Sequence, residues 1–235
     1  MRREQVAGLV GLACLLAAAP AWAQMGQNFF PRPSVAGVIH PEVGKGAIYE
    51  TTHAGQGSDS RDRQEMTVVG TEKVDGKDGF WFEFAREDKQ TGKPAYGKIL
   101  FTKEDFEIHR LVVQREGQAA MEIPFHMTDP AKQKLTDGVT KWEPVGAETV
   151  TVPGGTFVCQ HWKSNGNDGG DLWTSELVSP FGVVKEVSPT RTMILVKLVV
   201  DAQDHITGPV KQFDPQAMRQ QMMDRTQQQQ KQPNR

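Results

Sequence analysis

VTVPGGTFVCQHWKSNGNDGGDLWTSELVSPFGVVK, Val150 to Lys185, contains a strand, a tight turn, a second strand and a loop that leads into a third. Thr156 to Trp162 alternates β-forming and polar residues. Thr156, Val158, Gln160 and Trp162 therefore share one face, and Phe157, Cys159 and His161 the other. Asn165-Gly166 readily takes the positive φ of a hairpin turn, and Asn167 to Gly170 lengthens that turn. Leu172 to Leu177 returns as the next strand, with Trp173, Ser175 and Leu177 on one face. Pro153-Gly154-Gly155 and Ser179-Pro180 punctuate the two ends.

Cys159 and His161 on one face are the beginning of a metal site, but such a site needs three or four ligands and the chain offers no second Cys/His pair. Both residues therefore read as structural: a buried thiol beside a hydrogen-bonded imidazole. The same holds for Asp171 and Ser175 as partners of His161, because no nucleophile elbow or oxyanion loop accompanies them. Catalytic residues, metal and cofactor are all expected to be none.

The N-terminus reads as an export signal. Arg2 and Arg3 form the charged region, Val6 to Ala19 the apolar one, and Ala21-Trp22-Ala23 the cleavage site, so the mature chain is expected to begin at Gln24. Cys14 lies inside the apolar region and lacks a leucine three residues before it, so lipidation is not expected. The twin arginines come too early for a Tat signal. Loss of Arg2, Arg3 and Glu4 from 27 basic and 29 acidic residues leaves a net charge of −3. Such a mixed surface argues against nucleic acid and against a strongly basic membrane patch. No later apolar run approaches about 18 residues, so no transmembrane helix is expected after cleavage. One remaining cysteine excludes an intramolecular disulfide.

The division expected is a signal peptide at 1–23, an irregular arm at 24–45 anchored by Phe29 and Phe30, an antiparallel β domain at 46–208 and a polar tail at 209–235. Strands are expected at Gly46–Thr52, Gln64–Val74, Phe80–Ala85, Tyr96–Thr102, Ile108–Gln114, Ala119–Met127, Val145–Val152, Val183–Val187 and Thr192–Val200, besides the central hairpin. Asp75-Gly76 is a hairpin turn. In FWFEFA, Phe80, Phe82 and Phe84 line one face and Trp81 and Glu83 the other. Asp129-Pro130 starts a short helix to Leu135, and Asp214-Pro215 another over Gln216–Thr226; Gln227 to Arg235 reads as disordered. About ten strands with short connections make the fold mainly β, a single antiparallel sheet, strongly curved or nearly closed, with one or two short helices.

At VPGGTFVCQHW, GDLWTSELVSPFGVVK and the Met-Leu strand that follows, the chain resembles a group of exported bacterial proteins of unknown function. They are similar to the superfamily of LolA and LolB, periplasmic lipoprotein carriers. The resemblance implies an incomplete antiparallel barrel whose concave face holds acyl chains. No position here is assigned to the arginine with which the carriers hold their lid.

Two functions follow. The first is a non-catalytic periplasmic or secreted protein that binds a lipid, an acyl chain, an acylated protein or another hydrophobic ligand in a half-open barrel. The alternative is a structural or interaction protein of the cell envelope with a filled core. For the first, a cavity needs apolar residues of one parity on neighbouring strands. Lys197 places the Met193/Leu195 face towards water, because an unpaired buried ammonium is too costly. The expected ligand-binding residues are therefore Phe80, Phe82, Phe84, Ile194, Val196 and Leu198.

Overall fold

The computed structural model describes residues 38–55, 61–88, 91–124, 134–136, 141–164 and 169–214, with Gln216, Gln220 and Met223. The expected signal peptide, most of the arm with Phe29 and Phe30, the Asn165–Asp168 turn and the end of the tail lie outside these residues. Gln216, Gln220 and Met223 are helical, in line with the helix expected there.

Alternating apolar and polar residues separated by short turns form one open, curved sheet. Its strands are β1 (Lys45–His53), β2 (Arg61–Val74), β3 (Lys77–Asp88), β4 (Lys93–Thr102), β5 (Ile108–Arg115) and β6 (Met121–Ile123). After these come β7 (Glu143–Val152), β8 (Gly155–Ser164), β9 (Gly170–Thr174), β10 (Val183–Val187), β11 (Arg191–Val200) and β12 (Lys211–Gln212). The order across the sheet is β12-β6-β5-β4-β3-β2-β1-β11-β10-β9-β8-β7. Every pairing is antiparallel except that of β12 with β6. At the β2–β3 turn Asp75 and Gly76 take φ of 50° and 84°, the double positive that matches the twist of a two-residue hairpin.

Register builds the inner face. Val68, Phe82, Ile99, Leu111 and Ile123 stand side by side across five strands. Ala47 pairs with Leu198 and Tyr49 with Leu195 on the same face, where Ala47, Tyr49 and Leu195 are buried. Loop residues complete this core: Ile39, Leu135, Val178 and Phe181.

Four expectations are corrected. The strand expected over Leu172–Leu177 ends at Thr174, because Ser175 N donates to Gly182 O at 2.8 Å and Gly182 N to Val178 O at 2.7 Å, turning the chain off the sheet. The strand expected over Ala119–Met127 is only Met121–Ile123 in its described part. At the end of the helix expected before Leu135, Lys134 forms a β-bridge with Glu107, and Leu135, whose N donates to Phe106 O at 2.8 Å, lies in a turn; Ala131–Gln133 lie outside the described residues. The fourth concerns β11. Its register against β1 slips at Val196, since Ile48 faces Lys197 but Tyr49 faces Leu195. One extra residue reverses the alternation. Met193, Leu195 and then Leu198 face the core, while Ile194 pairs with Glu50 and Lys185 on the other side and Lys197 is exposed.

The β7–β8 hairpin runs beyond the end of β9, and its turn comes down on β11. Gly154 N donates to Leu195 O at 3.1 Å. A Cβ on Gly154 would lie 2.8 Å from Leu195 Cγ and 3.2 Å from Leu195 O, so the glycine is there for close approach. Gly155 follows with φ of 138°. Gly154→Ala is expected to force the turn off β11 and lower stability by about 1–3 kcal/mol, measured by urea unfolding.

Candidate functional site

Phe82 and Phe84 are fully buried with ring centroids 6.1 Å apart, and Phe80 is half-buried, 6.2 Å from Phe101. The alternation read from FWFEFA holds. Over Phe82 sits Phe181, from the β9–β10 loop, edge-on at 4.8 Å and 61°. Leu198 packs against the same core, but Ile194 and Val196 do not belong to it. The six residues expected to form one wall are thus brought together only in part, and an aromatic ring of the chain itself stands over their centre. Phe181 went unremarked in the sequence; its one signal was a large apolar residue inside a Pro/Gly loop.

Cys159 is fully buried, its Sγ 3.7 Å from Phe157 O. Burial pushes its thiol up to about 11, with a further contribution from the Glu148 carboxylate. His161 Nε2 lies 2.8 Å from Asp171 Oδ1 and Nδ1 lies 3.4 Å from Glu148 Oε1. The imidazole stacks on Trp173 at 4.7 Å, and Lys185 Nζ lies 4.9 Å from the same indole. Each ring nitrogen is turned towards a different carboxylate, which pins the ring and leaves it no edge for a third group. Among the described residues, no group of three or more His, Cys, Asp or Glu is placed to hold a metal ion.

The outer face carries a constellation that the sequence did not suggest. Thr67, Glu83, Lys98 and Val112 form a row across β2 to β5, and all four are buried. The segment between β11 and β12 lies over them as a strap. Glu83, 1% exposed, accepts from His205 N at 3.2 Å and contacts His205 Nδ1 at 2.6 Å. Lys98 Nζ donates to Asp204 Oδ2 at 2.5 Å and Ile206 O at 3.0 Å, while Ile206 packs on Val112 and Ala120. The His205 ring stacks on Tyr96 at 4.8 Å. Burial pushes the Glu83 carboxyl up to about 7, against the hydrogen bond and charge of His205, which lower it. The one sequence signal was an acid lodged among the aromatics of FWFEFA.

No protein-family model matches the chain, and no curated protein matches it. Among solved structures it is similar to a candidate lipoprotein from Parabacteroides distasonis, at 12% identity and a TM-score of 0.37 over 68% of this chain and 97% of that one. A candidate exported protein from Bacteroides fragilis with a YmcC-like fold gives 12% identity and a TM-score of 0.34 over 68% and 98%. MucB gives 13% identity and a TM-score of 0.32 over 81% of this chain and 64% of its own. Superpositions this loose align no side chain of one site on another, and no residue role is carried over from them.

Cys159→Ser is expected to cost about 1–3 kcal/mol, as a buried hydroxyl without a good partner, and native Cys159 should react with a thiol reagent only on unfolding. Glu83 titrates higher in the folded chain than its ordinary 4.5. Its protonated form therefore favours folding below about 4.5, and that contribution is lost as pH rises through about 7. Chemical unfolding from pH 4 to 8 should show native stability falling over this window relative to Glu83→Gln, in which the residue no longer titrates.

Proposed function

We propose that the chain is an exported, non-catalytic structural or interaction protein of the cell envelope, acting through its surface with an interior filled by its own side chains. The observation that carries this reading is Phe181 against Phe82 at 4.8 Å, in the place where an acyl chain would have to lie. Phe82, Phe101, Leu135, Leu195 and Phe181 are each at most 2% exposed, so the core they share is close-packed at its centre. Export is supported by the order of charged region, apolar region and cleavage site over residues 2–23. Among the described residues no helix is long and apolar enough to cross a membrane.

N-terminal sequencing of the protein from its own envelope should begin at Gln24; a chain starting at an acylated Cys14 would make it membrane-tethered instead. Protein so purified should carry no co-purifying lipid in native mass spectrometry and should show no saturable uptake of a fluorescent fatty acid. Saturable uptake that Phe82→Trp abolishes, with the variant still folded, would sink the filled-core reading and restore the lipid-carrier one.

A further inference from the structure

The strap seals only one row of the outer face. Beside it, Ile48, Glu65, Ala85 and Tyr96 form the next row, paired in register across β1 to β4. A groove of about 420 Å³ opens there, walled by His205 at the flank of the strap. Its floor is low because Ala85 stands between larger neighbours. Arg63 and Glu87 lie two residues further along β2 and β3, on the same face of their strands as Glu65 and Ala85.

We propose that this groove binds a small zwitterion of the amino-acid type, with its ammonium on Glu65 and Glu87, its acid group on Arg63 and its apolar body over Ala85 and Tyr96. The proposal goes beyond the function inferred above and holds whether or not the interior takes a lipid. Three observations carry it. First, the charges under and beside the strap satisfy each other: Lys98 with Asp204, Arg110 with Glu122 at 2.9 Å and Glu83 with His205. Among the described residues Arg63, Glu65 and Glu87 hold no such ion pair, yet all three border one concavity. Second, both signs of charge surround a single apolar floor, the pattern that recognises a molecule carrying an ammonium and an acid at once. Third, carboxylates stand near the Tyr96 hydroxyl. Burial raises the Tyr96 hydroxyl first, and the carboxylates of Glu83, Glu116 and Glu65 raise it further. A cationic group is favoured beside the ring on the side that His205, stacked on Tyr96, leaves uncovered. The volume lies within the range of clefts that enclose small ligands.

Calorimetry and NMR titration of the exported chain with leucine and phenylalanine test this. Saturable binding is expected for at least one of them, with shifts at Ala85 and Tyr96. For phenylalanine, 2-phenylethylamine and 3-phenylpropionate each lack one charge and should bind about tenfold more weakly or worse. Glu65→Gln should weaken binding of phenylalanine and 2-phenylethylamine about tenfold, Arg63→Gln that of phenylalanine and 3-phenylpropionate only. Ala85→Leu should fill the floor and abolish binding, and thermal midpoints of all three variants should stay near that of the native chain. Failure of both amino acids to saturate up to their solubility limits overturns the proposal. So does binding that Glu65→Gln and Ala85→Leu leave unchanged.

Discussion

The hydrogen bond from Gly154 N to Leu195 O decides how this sheet ends. β10 covers β11 only from Thr192 to Ile194. Beyond that point Leu195 is buried, and no β10 residue pairs with it on the edge away from β1. A buried backbone group left unpaired costs about 1–3 kcal/mol. The tip of the β7–β8 hairpin supplies the missing donor, and reaching it demands a residue with no side chain. Pro153-Gly154-Gly155 is thus more than punctuation between two strands: it is the contact by which the far edge of the sheet bends back onto its middle.

Both faces of the sheet are covered by chain that belongs to no long strand. Ile39, Leu135 and Phe181 come from three separate loops to close the inner side. On the outer side the strap covers two charged residues, Glu83 and Lys98, which are 1% and 8% exposed. Charges so deep are tolerated only when matched. His205 and Asp204 match them in order, and Ile206 anchors the strap one residue later by a hydrophobic contact. The sheet therefore dictates the sequence of the strap, and the strap in turn stops short of the row where the groove opens.

Strand positions were legible wherever alternation ran unbroken. Phe80, Phe82 and Phe84 lie on one face as their spacing requires, because β3 keeps its phase over these three residues. The argument from Lys197 failed at β11 for a physical reason. It read correctly that the ammonium reaches water, but it assumed one parity from Met193 to Leu198, and the bulge at Val196 breaks that assumption. No residue type marks the bulge; it becomes visible only through the pairing with β1. Phe181 and His205 were missed because both lie in irregular segments, where periodicity says nothing about direction. Their partners are distant: His205 and Glu83 are 122 residues apart in the chain. Cys159, by contrast, was read correctly as buried from purely local alternation, although that alternation shifts phase before the half-buried Trp162.

The pairing of β1 with β11 also sets an order of events. Lys45 lies opposite Val200 and His53 opposite Arg191, while β2 follows β1 almost at once in the chain. As a chain emerges N-terminus first, β1 can zip to β2 immediately, but its other edge stays open until nearly the whole molecule has arrived. Closing so long a loop is slow, and an unpaired strand edge is a template for the wrong partner. The same delay holds back the cover over Glu83 and Lys98, since the strap is made after β11. A nascent molecule of this architecture thus spends its longest phase as a half-sheet with one sticky margin and two uncompensated charges. Arrival of β11 and the strap closes the margin of β1 and compensates both charges.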